Sequence, residues 1–104
     1  MDAVHTNVIK RNGEEVNFDL DKIVNAINAA NKEVDRLHQL NDYQVQAIAD
    51  NIAKQIEIMT HAIHVEDIQD MVERGIMEMR GYEVAQIYVR YRYKRDMARK
   101  ANTN

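Results

Sequence analysis

A chain of 104 residues, 45% of them hydrophobic, is long enough to bury one core and too short for two. The absence of cysteine excludes disulfides, thiolate zinc sites and a thiol nucleophile, and no apolar run approaches the roughly 18 residues of a membrane span. The formal net charge of −3 divides unevenly, because residues 1–89 carry 8 Lys and Arg against 16 Asp and Glu, whereas 90–104 carry 6 against 1.

Residues 1–6 read as a disordered leader without a cleavable signal, so a cytoplasmic domain over 7–99 with a short tail at 100–104 is expected. Strand-like runs at 7–11 and 14–18 flank Asn12-Gly13, a dipeptide that predicts a two-residue hairpin turn with positive φ at both positions. Asp19 stands at a helix N-cap, and Leu20, Ile23, Val24, Ile27, Ala30 and Val34 follow at helical spacing, predicting a helix over 20–34. Lys22 falls in the first turn of that helix. A cation there opposes the helix dipole, so it is either tolerated on a solvated face or faces an anion.

A polar loop over 35–41 leads to a helix over 42–58 capped by Asn41 or Asp42, with Val45, Ile48, Ala49, Ile52 and Ile56 on one face. Residues 59–65 are too short and β-branched for another helix and could add a third strand. A helix over 66–79 then presents Ile68, Met71, Val72, Gly75, Ile76 and Met79, with Gly75 marking a close helix crossing and Arg80-Gly81 its C-cap. The last helix, 82–99, turns Val84, Ala85, Ile87, Tyr88 and Tyr91 inward and Arg90, Arg92, Arg95 and Arg99 outward. The sum is an α+β, mostly helical domain, about four helices capped by a small two- or three-stranded sheet. A ligand cleft is expected between hairpin and bundle, since so small a sheet must dock on helices.

Catalytic constellations are missing. There is no Walker loop, no GxGxxG and no Ser/His/Asp set, and His61 and His64 would point to opposite faces of a strand, against chelation. Glu66, Asp67, Asp70 and Glu73 read as the solvated acidic start of a helix. The tyrosines interleaved with Arg90, Arg92 and Arg95 could stack bases, yet Tyr88 and Tyr91 share the apolar side and read as core.

Four blocks in order, Val8-Ile-Lys-Arg-Asn-Gly13, Phe18-Asp-x-x-Lys22-Ile, Val65-Glu-Asp-Ile-Gln-Asp-x-Val72-Glu and Val84-Ala-x-x-Tyr88-x-x-Tyr91-Arg92, resemble the ATP-cone over about residues 7–95. The resemblance implies a four-helix bundle under a three-stranded sheet that binds ATP or dATP, with Mg²⁺ on the phosphates, as an allosteric effector. It implies phosphate contacts from Lys10, Arg11, Lys22 and Lys94, a ribose- or base-facing Asp19, and an adenine pocket at Val65 and Gln69. Tyr91 and backbone groups from Ile63 to Val65 complete the implied nucleotide site. Some relatives carry Thr and His where this chain has Val65 and Gln69.

The ending Tyr91-Arg-Tyr-Lys-Arg-Asp-Met-Ala-Arg99 is similar to the anaerobic, class III ribonucleoside-triphosphate reductases. The implied partner is then the catalytic part of such a reductase, whose activity or oligomeric state this non-catalytic chain controls in deoxyribonucleotide supply for DNA replication. The cysteines of the zinc-ribbon repressor that also carries a cone are absent. The alternative reading is a nucleic-acid- or protein-binding module working through the basic C-terminal helix.

Overall fold

The computed structural model describes residues 7–101. The expected leader 1–6 and the last residues of the expected tail, 102–104, lie outside the described residues. In chain order the elements are β1 (Asn7–Ile9), β2 (Glu15–Asn17), α1 (Leu20–Asn31), a 3₁₀ turn (Arg36–His38), α2 (Asp42–Glu57), β3 (Ile63–His64), α3 (Val65–Glu78) and α4 (Tyr82–Ala101). The architecture is the expected α+β arrangement, four helices under a small mixed sheet.

The sheet order is β2-β1-β3, with β1 antiparallel to β2 and parallel to β3. Val8 is opposite Val16 on one side and Ile63 on the other, so the apolar register faces the helices. The hairpin departs from the two-residue turn. Gly13 donates to the Lys10 carbonyl at 2.9 Å and Lys10 to the Glu14 carbonyl at 2.8 Å, which leaves a three-residue loop, Arg11–Gly13. Asn12 Oδ1 accepts from the Glu14 N–H, and Gly13 alone takes the left-handed conformation there, at φ 88°. This is a type I turn closed by a glycine bulge, and the extra residue carries Arg11 to the loop's crown.

Asp19 caps α1, its Oδ1 accepting from the Asp21 N–H at 3.0 Å. The helix stops at Asn31 rather than 34 because the Asn31 amide binds the Leu40 backbone in both directions, at 2.9 and 2.8 Å. Asn41 begins α2 with a reciprocal capping box to Gln44. At the α2–α3 crossing a Cβ on Gly75 would meet Ile48 Cγ2 at 2.8 Å, so the close approach requires glycine. The α3 C-cap differs from expectation: Arg80, at φ 62°, takes the left-handed position. Arg80 and Gly81 donate to Met77 and Ile76 in a Schellman pair, and Gly81 is reserved for close contact with Leu40.

The core runs through all four helices. Ile27, Val45, Ile52, Ile56, Val72, Ile76 and Val84 are its largest fully buried members. Among the described residues no helix is long and apolar enough to cross a membrane.

Candidate nucleotide site

The sheet stands off the bundle on one side and leaves a cleft of about 280 Å³ between its inner face and helices α1, α3 and α4. Val8 and Val16 form the sheet wall, Ile23 and Ala26 come from α1, Ile68 and Val72 from α3, and Tyr88 from α4. Phe18 and Val65 complete the apolar lining. The apolar floor follows from the same periodicities that build the core, since each wall element lends the cleft the margin of its buried stripe.

The rim is polar and carries three cations against one acid. Lys10 enters from the end of β1, Lys22 from the first turn of α1 and Arg95 from α4, with Asn17, Asp19 and Gln69 between them. Lys10 Nζ is 3.3 Å from Glu14 and 41% exposed, an ion pair weak enough for a stronger anion to displace. Asp19 and Lys22 belong to one N-terminal turn, where backbone N–H groups and the helix dipole also favour negative charge.

Of the nine residues that the sequence nominates, Lys10, Asp19, Lys22, Val65 and Gln69 line the cleft, while Arg11, Ile63, Tyr91 and Lys94 are not among its lining residues. Ile63 is buried in the core from β3, beside β1 in the sheet. Tyr91 packs partly buried against that core, and Lys94 is exposed. Arg95, expected on the outward face, lines the cleft instead; it lies seven residues beyond the inward Tyr88, two helical turns on the same face, and only the setting of α4 against α1 turns it into the cleft. Asn17, the last residue of β2, and Phe18, just after it, also line the cleft.

Arg11 instead ties three elements together at the cleft's edge. Its guanidinium donates to Gln69 Oε1 at 2.9 Å, lies 3.3 Å from Glu66 and 2.5 Å from Asp96 Oδ1. That aspartate oxygen is buried and, despite the short contact, receives no well-aligned hydrogen bond. The hairpin crown is thus joined to α3 and to the C-terminal half of α4.

Arg92 is a correction to the outward helix face. Its side chain is only 18% exposed and donates to Asp70 and Glu73, each at 2.7 Å, and to the Glu66 carbonyl at 3.2 Å. Burial works against its charge, but the bonds to Asp70 and Glu73 more than offset this and hold its pKa above the ordinary value. Two acids expected on a solvated face therefore clamp α4 to α3. Beside them, burial pushes the Tyr88 hydroxyl up to about 12, so it is neutral wherever the domain is folded near neutrality.

The ATP cone domain family model matches residues 6–97 of this chain. The anaerobic ribonucleoside-triphosphate reductase of Haemophilus influenzae is 36% identical over 95 residues, which cover 88% of this chain and 13% of that protein. The matched segment is thus a small part of a much longer relative.

Proposed function

This chain belongs to the ATP-cone family of allosteric nucleotide-binding modules, and from that premise we propose that its cleft takes ATP and dATP as alternative effectors. One observation carries the reading: a single cleft joins an apolar floor to a rim bearing Lys10, Lys22 and Arg95. A ligand that satisfies both halves has a flat, weakly polar base and a polyanionic tail. Lys10, Lys22 and Arg95 would hold the phosphates, with Mg²⁺ neutralising part of their charge, while Val65, Ile68 and Phe18 cover the base. Asp19 and Gln69 supply the polar contacts that distinguish one base or sugar from another.

The connection from cleft to bundle runs through Gln69, a lining residue that is also held by Arg11. A nucleotide that draws Gln69 or Lys10 toward itself alters the hold of Arg11 on Asp96, and so the setting of α4. Effectors differing by one 2′-hydroxyl need to favour different arrangements by only about 1–3 kcal/mol to switch a partner. The partner is the catalytic part of a ribonucleotide reductase, the anaerobic ribonucleoside-triphosphate reductase above all, whose activity or oligomeric state the cone sets in the cytoplasm. ATP favours the active arrangement and dATP the inhibited one. A nucleic-acid surface on α4 is less well supported, because Arg92, at the middle of the basic run, is already committed to Asp70 and Glu73.

Calorimetric titration with ATP, dATP and GTP in Mg²⁺ buffer tests the proposal, using the parent chain and the Lys10→Ala and Lys22→Ala variants. Saturable, adenine-selective binding weakened about tenfold in each variant is the expected result, one charge-assisted contact being lost each time. No binding at millimolar nucleotide, or equal binding of ATP and GTP, would overturn it.

A further inference from the structure

Helix α4 is apolar on two opposite faces. Its inner face buries Val84, Ala85 and Tyr88 against α1 and α3. At about 100° per residue, Tyr82, Val89, Tyr93 and Met97 fall together on the side turned away from the bundle. They are 57%, 39%, 64% and 47% exposed, four of the eight large hydrophobic side chains that the described residues leave to solvent. Their separations of seven, four and four residues are those of a helix-packing seam rather than of scattered surface positions. Gln86, also exposed, fills the remaining seam position.

Charge decides what the seam fits. Arg90 and Lys94, both exposed, border its C-terminal half along one side; Glu83, on the same side near the helix start, faces His38, and Asp96, on the opposite side, faces Arg11. A second copy packed antiparallel about Val89 would bring Arg90 close to its own counterpart at the two-fold axis, a like-charge contact without compensation. A nucleic acid would satisfy Arg90 and Lys94 but would set Val89 and Met97 against phosphate and water. An amphipathic helix with Leu-type residues on its seam and Glu or Asp along the flank that meets Arg90 and Lys94 satisfies both stripe and border.

We propose that the outer face of α4 is a docking surface for an acidic amphipathic helix carried by the polypeptide that the cone regulates. The source of that helix rests on the regulatory reading above, whereas the docking chemistry stands on the seam and its border. The same α4 thus presents Arg95 to the cleft on one side and the docking seam on the other, and the hold of Arg11 on Asp96 lies between them.

The test titrates the isotope-labelled 104-residue chain, followed by NMR, with a synthetic helix bearing Leu on its seam and Glu on one flank. A Lys-flanked twin and oligothymidylate are the comparison ligands, and ATP affinity is measured separately on every variant. The expected result is saturable binding of the Glu-flanked helix, about tenfold tighter than its twin, with shifts centred on Tyr82, Gln86, Val89, Tyr93 and Met97. Tyr93→Glu should abolish that binding and Arg90→Glu should reverse the preference between the twins, both with ATP affinity unchanged. Three results would overturn the proposal: preferential binding of oligothymidylate, concentration-dependent self-association through the same residues, or shifts from the Glu-flanked helix centred elsewhere. Loss of ATP binding in the parent chain would count against the nucleotide reading alone.

Discussion

The two seams of helix α3 are made differently. On the α2 side, Gly75 lets Ile48 pack against bare backbone, and Ile52, Val72 and Ile76 bury their side chains beside it, while Asn51, Gln55, Arg74 and Glu78 line the outer edge of the contact. On the α4 side, Arg92 holds Asp70 and Glu73 while Arg11 bridges Glu66, Gln69 and Asp96. A close-packed apolar seam has one arrangement and resists displacement; an ionic seam at the surface has alternative partners, including solvent and incoming anions. The cleft opens on the ionic side. The contrast teaches that this small domain keeps a fixed base in α2 and α3 and gives its adjustable contacts to the elements around the ligand.

The contrast is broken most severely at Gly75. Gly75→Val would drive side-chain carbons into Ile48, and destabilisation of about 1–3 kcal/mol is expected in urea unfolding, with the slope of the transition unchanged. Smaller and of different character is Arg92→Ala, which leaves Asp70 and Glu73 facing each other across a half-exposed site. Its expected cost is about 1–2 kcal/mol, shrinking as salt is added, whereas the Gly75→Val loss should be insensitive to salt.

The remaining effects are read through pH. Tyr88 is protonated in the folded state up to about 12, while an unfolded tyrosine ionises near 10. The unfolded chain therefore releases this proton first on the alkaline side, and stability should fall as pH rises above about 10. Tyr88→Phe should remove part of that fall. His38 has a pKa raised above 6.5 by its hydrogen bond to Asp35, by the Asp35 charge and by Glu83 at 3.6 Å. Its contribution is fully present below about 6.5 and is lost as pH rises through the raised value. Since this ring is solvent-exposed, His38→Gln should flatten the thermal midpoint against pH only slightly.

Much of the apolar seam was legible in the sequence, because helical periodicity marks Ile48, Ile52, Val72 and Ile76, and a glycine inside such a stripe marks a close crossing. The N-caps at Asp19 and Asn41 were legible from local side-chain chemistry. The ionic seam was not: Arg11 and Asp96 are distant in sequence, and neither carries a local signal of the other. Arg92 looks like any outward arginine until α3 is placed beside it. The hairpin misled for a nearer reason, since Asn12 uses its side chain on Glu14 and takes no left-handed position. In the cleft, residues at element starts, such as Lys22 and Val65, could be named in advance, whereas Arg95 depends on how α4 is rotated against α1.

Hydrogen exchange with and without saturating ATP tests the central contrast most directly, because it reads every backbone amide in both seams at once. Altered protection is expected over residues 8–23, at the start of α3 and over 92–98, with residues 48–56, Gly75 and Ile76 unchanged. A uniform rise in protection, or a change confined to the α2–α3 seam, would contradict it.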